Sequence, residues 1–201
     1  MINKGDFELK KPLITLQFSI HPMTNNFIEI IKGALRGVDT SNVTMSTDDV
    51  ATTMIGKQEA VFDAVKAMII HASKSGSHIA FNGTFSAGCP SLACELEEPS
   101  EQPVRINQEK YRQCKQYVSA KFALFPLGHS DYTDVINNEI KRLKNSDVYN
   151  EFSKNGSGLH GDINRVFSFL EDSFSYVHSS IQSHVIMTVN MSVNSPSHKN
   201  V

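Results

Sequence analysis

The 201-residue sequence predicts an α+β protein in which one βαββαβ unit occurs twice, and three observations carry that expectation. First, "SHIAFNGTFSAGCPS" at Ser77–Ser91 returns as "SHVIMTVNMSVNSPS" at Ser183–Ser197, 106 positions later, with the same alternation of apolar and small polar residues. Second, "QFSIHPM" at Gln17–Met23 returns as "KFALFPL" at Lys121–Leu127, 104 positions later, and Gly56 and Phe62 return as Gly161 and Phe167, 105 later. The landmarks keep their order with a drift of two residues, which is the mark of a duplication. Third, hydrophobic periodicity switches between strand and helix spacing at matching places in both copies.

Leu13–His21 alternates, with Leu16, Phe18 and Ile20 opposed to Gln17, Ser19 and His21, so it reads as a half-buried strand that Pro22 ends. Thr24 is the expected N-cap of a helix whose stripe is Phe27, Ile28, Ile31 and Leu35, closing near Gly37. Val43–Ser46 and Val50–Ile55 read as two short strands joined around Thr47–Asp49. A second helix carries Val61, Phe62, Val65, Met68, Ile69 and Ala72 on one face and ends by Gly76, before the duplicated strand. In the second copy Tyr132, Val135, Ile136, Ile140 and Leu143 mark the first helix, and Ile163, Val166, Phe167, Leu170, Phe174 and Val177 mark the second.

This order, twice over, predicts tandem ferredoxin-like (βαββαβ) repeats, antiparallel sheets with helices on one face. The repeats are expected at 12–91 and 118–197, with a polar, proline-containing linker at 92–117 that ends in a short helix. The covered face takes Phe18, Ile20, Ile79, Phe81 and Phe85 in one copy and Phe122, Leu124, Val185, Met187, Val189 and Met191 in the other. At roughly 1.5–3 kcal/mol per buried side chain, a unit of about 85 residues has adequate but not lavish driving force, so the copies are expected to lean on each other.

Composition excludes several classes. A formal net charge of −2 gives no electrostatic footprint for nucleic acid or an anionic membrane surface. No stretch approaches the roughly 20 apolar residues that span a bilayer, and "MINKGDFELKK" has no apolar signal core, so a cytoplasmic protein is expected. Cys89, Cys94 and Cys114 form an odd set without C-x-x-C spacing and read as reduced thiols, although Cys89 and Cys94 could pair under oxidation. No phosphate-binding glycine motif and no metal-ligand spacing is found, so neither cofactor nor metal is expected.

The helix-free face is where function could reside. In the final strands it carries His78, Asn82, Thr84 and Ser86, then His184, Thr188, Asn190 and Ser192; Asn and Thr exchange places between copies while His and Ser stay. Short neutral donors and acceptors on a stiff sheet suit a planar, uncharged heterocycle. By itself the pattern leaves open a hydrated face, a subunit contact or a ligand site, and each histidine is expected to bond backbone at its strand start.

"FSIHPMTNNFIEIIKGAL", "STDDVATTMIG", "HIAFNGTFSAGCP" and "HVIMTVNMSVNSPSHKN" closely resemble the YkoF family of thiamin- and hydroxymethylpyrimidine-binding proteins, over about Leu13 to Asn200. The resemblance implies a homodimer of tandem ferredoxin-like chains. It further implies one site per repeat for thiamin or its pyrimidine moiety, serving precursor salvage or uptake by binding rather than catalysis. Carried over, the first site draws on Thr47, Asp48, Thr52, Asn82, Thr84 and Ser86, and the second on Ser157, Thr188, Asn190 and Ser192. The second copy has Ser153 at the position of Asp48, and His21 stands where Phe125 supplies an aromatic, so the two sites are expected to differ in affinity. Two rivals stand beside this reading. A Cys89 nucleophile with His78 or His21 as base is disfavoured, because Cys89 falls on Ser195 in the second copy and no third orienting group is apparent. An ACT-like regulatory or scaffold dimerisation module for another small metabolite suits the same fold.

Overall fold

The computed structural model describes residues 13–88, 105–128, 132–151 and 157–197. The first repeat runs β1 (Leu13–Pro22), α1 (Phe27–Gly37), β2 (Val43–Thr47), β3 (Thr52–Lys57), α2 (Gln58–Ser73) and β4 (Ile79–Ala87). A short α3 (Gln108–Tyr111) precedes the second repeat, which runs β5 (Tyr117–Pro126), α4 (Tyr132–Lys144), β6 (Ser157–Asp162), α5 (Ile163–Ile181) and β7 (Val185–Val193). All strand pairs are antiparallel, and the order is β2-β3-β1-β4-β7-β5-β6. Each repeat therefore has the ferredoxin-like connectivity, and β4 pairs with β7 from Ile79↔Val193 to Ala87↔Val185 to fuse both into one seven-stranded sheet. The repeats thus close each other's inner edges, which would otherwise be open to foreign strands.

The alternation of the sequence is realised in burial. Phe81, Phe85, Val185, Met187 and Val189 are buried beneath the helices, and Asn82, Thr84 and Asn190 are exposed on the other face. An aromatic cluster joins the two halves of the core: Phe62 of α2 stacks on Phe85 at 4.4 Å and meets Phe167 and Phe174 of α5 at 6.5 and 6.2 Å.

Three expectations are corrected locally. Asn26, not Thr24, is the residue before α1, and the Thr24 hydroxyl instead accepts from the Asn26 amide at 3.4 Å. In the first hairpin the turn is residues 48–51, because Asp48 Oδ1 accepts from the amides of Val50 and Ala51 at 2.8 and 2.9 Å and takes both out of the ladder. In the second repeat, among the described residues, the counterpart of β2 is a single Tyr149↔Leu159 bridge. Helix α4 has 13 residues against 11 in α1.

The end of the linker is strapped across the helices. The Asn107 amide donates to Asp63 Oδ2 at 2.8 Å, Asn107 Nδ2 donates to Asp39 O, and the Tyr111 hydroxyl donates to Gly37 O. Asp63 is 1% exposed and its Oδ1 has no hydrogen-bond partner, and burial pushes its carboxyl above the usual range against the opposing effect of Asn107. Burial likewise raises Glu171, which Arg105 meets at 2.7 Å. A folded-state pKa above the unfolded one means that the native state holds more protons in that window, so these two groups add stability as pH falls from neutral toward about 4.5. Asp63→Asn and Glu171→Gln are expected to flatten that rise. Urea midpoints at neutral and mildly acidic pH check this, and an unchanged slope in both variants contradicts it.

Candidate functional site

Strand β1 is longer than its neighbour. It pairs with β3 only as far as Phe18↔Thr52 but continues with β4 to Pro22↔Ile79. Where β3 stops, a cavity of about 430 Å³ opens between the end of β1, the 48–51 turn and helices α1 and α2. Its walls are Phe18 and Ile20 from the sheet, Ile31 and Ala34 from α1, and Met68 and Ala72 from α2. Its size and apolar lining suit a small organic ligand. The rim explains an oddity of α1, whose stripe residues Phe27 and Leu35 remain 46% and 43% exposed: they border the opening instead of entering the core.

Polar groups gather at the mouth. The Thr47 and Thr52 hydroxyls lie 3.0 Å apart, and Asp48 lines the opening beside them. The Ala51 and Val50 amides hold the Asp48 carboxyl below the usual carboxylate range. Both bonds go to Oδ1. Among the described residues no lysine or arginine lines the cavity.

The other carried-over residues fall elsewhere. Asn82, Thr84, Ser86, Thr188, Asn190 and Ser192 lie on the opposite, helix-free face, where β4–β7 pairing sets Asn82 against Asn190 and Thr84 against Thr188. The structure gathers these into one central patch and does not bring them to the cavity; a shallow groove there also takes in Ser119 and Ala80. His78 Nε2 and Ser192 Oγ are 2.8 Å apart, as are His184 Nε2 and Ser86 Oγ. Each histidine side chain thus bonds the serine of the other repeat rather than backbone, and the recurring Ser and His of the duplicated phrase form a reciprocal clasp.

A model of the YKOF-related Family matches residues 13–92 and 117–198. The chain belongs to this family. A protein of Bacillus subtilis (strain 168) named "Putative HMP/thiamine-binding protein YkoF" is 40% identical to it over 184 residues, which is 92% of each chain.

For this YKOF-related chain the internal offset locates the second seam. Ser157, the counterpart of Thr52, lies opposite Phe122 in the last β5–β6 pair among the described residues, and β5 continues with β7 to Pro126. Phe125 there is 48% exposed, and His21, its counterpart, lies 2.9 Å from the Ser19 hydroxyl. Ser153, Cys89 and Cys94 lie outside the described residues, and Cys114 is a half-buried free thiol. Among the described residues no helix is long and apolar enough to cross a membrane, and no group of three His, Cys, Asp or Glu is placed to hold a metal. Sequence reasoning missed Ala34 as a cavity wall; the available signal was a small residue set between Ile31 and Leu35 in an otherwise bulky stripe.

Proposed function

We propose that this YKOF-related chain binds thiamin or its hydroxymethylpyrimidine moiety without transforming it, with one site per repeat at the helix–sheet seam, in cytoplasmic salvage or uptake of thiamin precursors. The observation that carries the reading is the cavity beyond the end of β3, with apolar walls for a flat ring and Thr47, Asp48 and Thr52 at its mouth. An aminopyrimidine presents an exocyclic amine beside ring-nitrogen acceptors, which an ionised carboxylate and two hydroxyls complement. The thiazolium of thiamin is cationic, and Asp48 lies where it would emerge. The name of the Bacillus subtilis relative supports the same ligand class. On this reading the six open-face residues do not touch ligand, and their flat polar surface is where a homodimer would form.

Calorimetric titration of the full chain with thiamin, hydroxymethylpyrimidine, thiamin diphosphate and a panel of amino acids tests this. Two equivalents of thiamin or pyrimidine are expected, each ligand raising the melting temperature because it binds the native state. Thiamin diphosphate is expected to bind more weakly, since the described lining offers its phosphates no cation. Asp48→Ala should weaken one equivalent and Asn82→Ala neither. Binding of an amino acid alone would replace this reading with the ACT-like one, and binding of none of the panel would remove it.

A further inference from the structure

Helix α1 is held against α2 by groups that the second repeat replaces. Gly33 and Gly37 of α1 face the His71 ring on α2: a β-carbon at Gly37 would fall 2.2 Å from His71 Cε1, and one at Gly33 would fall 3.8 Å from Nε2. The imidazole thus fills the space that a side chain at Gly37 would need, and the two helices approach closely beside Ala34, a wall of the cavity. Tyr111 of α3 completes the contact. It is 1% exposed, its hydroxyl donates to Gly37 O at 3.0 Å, and its oxygen lies 3.2 Å from His71 Nδ1. With the one hydroxyl proton committed to Gly37, Nδ1–H donates to Tyr111 and Nε2 is left bare on the side of Gly33. Lys110 Nζ also donates to Gly37 O at 2.6 Å, so α3 caps the last carbonyl of α1 with two donors.

At the 105-residue offset Gly33, Gly37 and His71 become Asn138, Arg142 and Tyr176. There the crossing is closed from within the repeat, with the Arg142 guanidinium over the Tyr176 ring, 4.6 Å from its centre. The clamp on α1 instead comes from the end of the linker. The charged groups acting on His71 are Lys74 of α2 and Lys110 of α3, while Gly33 and Gly37 of α1 and the Tyr111 hydroxyl bring it no charge at neutral pH. Both ammonium groups also lie over the Tyr111 ring, 5.2 and 5.4 Å from its centre. Burial first, then these two cations, holds the His71 imidazole below the usual histidine range. A second ring proton would add a third cation to this group. A folded-state value below the unfolded one means that the clamp contributes fully above about pH 6.5 and is lost as pH falls through the folded value.

We propose that His71 and Tyr111 are positioning residues of the first-repeat ligand site: they fix α1 over the cavity without touching the ligand, so affinity at this site alone depends on the end of the linker. This rests on the ligand reading above and deepens it. Ile31 and Ala34 line the cavity from α1, and Met68 and Ala72, on either side of His71 in the chain, line it from α2. Releasing α1 from α2 therefore widens the space in which a ring is held. Acid acts through the same clamp: protonated His71 repels Lys110, α3 loosens its hold on Gly37, and the first site weakens while the second does not.

Calorimetric titration of the full chain with thiamin, at about pH 7.5 and about pH 5.5, tests this on wild type, Tyr111→Phe and His71→Asn. Each is also measured with Asp48→Ala, which weakens the first equivalent and so shows to which site a change belongs. Circular dichroism verifies the fold. Tyr111→Phe keeps the buried ring and deletes only the hydroxyl. It is expected to weaken the first equivalent about three- to tenfold, the scale of one or two lost hydrogen bonds, and to leave the second unchanged. In wild type, acid is expected to lower the ratio of first-site to second-site affinity by a similar factor. His71→Asn keeps a donor in place of Nδ1–H and does not titrate. It is expected to bind near wild-type strength at neutral pH and to lose the acid shift, a readout that a merely structural histidine would not move. An unchanged first site in Tyr111→Phe, an acid shift that persists in His71→Asn, or equal weakening of both equivalents overturns this inference and leaves the ligand reading intact. A wild-type chain that binds no thiamin overturns the ligand reading itself.

Discussion

Ala34→Phe is expected to remove one of two equivalents of bound thiamin, lowering affinity at that site by on the order of 100-fold, while the protein stays folded. Ala34 is 3% exposed and walls the cavity from α1, facing Met68 and Ala72 of α2 across the space a ring would occupy. A phenyl group placed there enters an existing void of about 430 Å³ rather than a filled core, so the usual overpacking strain of about 1–3 kcal/mol is largely avoided. The melting temperature of the free protein should change little or rise, and its shift on adding thiamin should shrink. Calorimetry gives the number of sites directly. Retention of both equivalents at wild-type affinity would show that ligand does not enter this seam, and would turn attention to the open-face patch around Asn82 and Asn190.

Phe62→Ala is expected to destabilise the whole chain by about 3–5 kcal/mol, in one cooperative transition rather than in the first repeat alone. Phe62 is 1% exposed, stacks on Phe85 of the first repeat and packs against Phe167 and Phe174 of the second. Removing its ring leaves a hole that the shared sheet prevents from closing, because β4 and β7 are held in a nine-residue register. For a chain of this size the loss corresponds to a fall in melting temperature of roughly 6–20 °C. Denaturant unfolding followed by both far-UV circular dichroism and tyrosine fluorescence should give one coincident transition. Two separated transitions would show that the repeats are energetically independent despite their common sheet.

The elements of the fold were legible where periodicity was strong. The alternation in Leu13–His21 and in both copies of the duplicated phrase marks β1, β4 and β7, and the apolar stripe from Ile163 to Val177 marks α5. Local chemistry was read less well. Thr24 was expected to cap α1 and Thr47–Asp49 to form the hairpin turn, but side-chain hydrogen bonds from Thr24 and Asp48 shift both boundaries. That the counterpart of β2 is, among the described residues, a single Tyr149↔Leu159 bridge was not legible, because motif order says nothing of how far a strand pairs.

The candidate site was legible only in part. Thr47, Asp48 and Thr52 were singled out and line the cavity, but its floor is made by Ala34, Met68 and Ala72, whose meeting depends on how α1 crosses α2. Asn82 and Thr84 were singled out with them, although alternation along a strand sends their side chains to the other face from Phe81 and Phe85.

By itself the sequence determined that one unit occurs twice, which residues of each strand turn inward, and which family the chain resembles, because these are written in spacing and identity along the chain. The tertiary structure decided that β4 would find β7, that Asn82 would meet Asn190, that each His would clasp the other repeat's Ser, and that a cavity would open where β1 outlasts β3. Those outcomes depend on strand register and helix crossing between segments up to about a hundred residues apart, and no local periodicity encodes either.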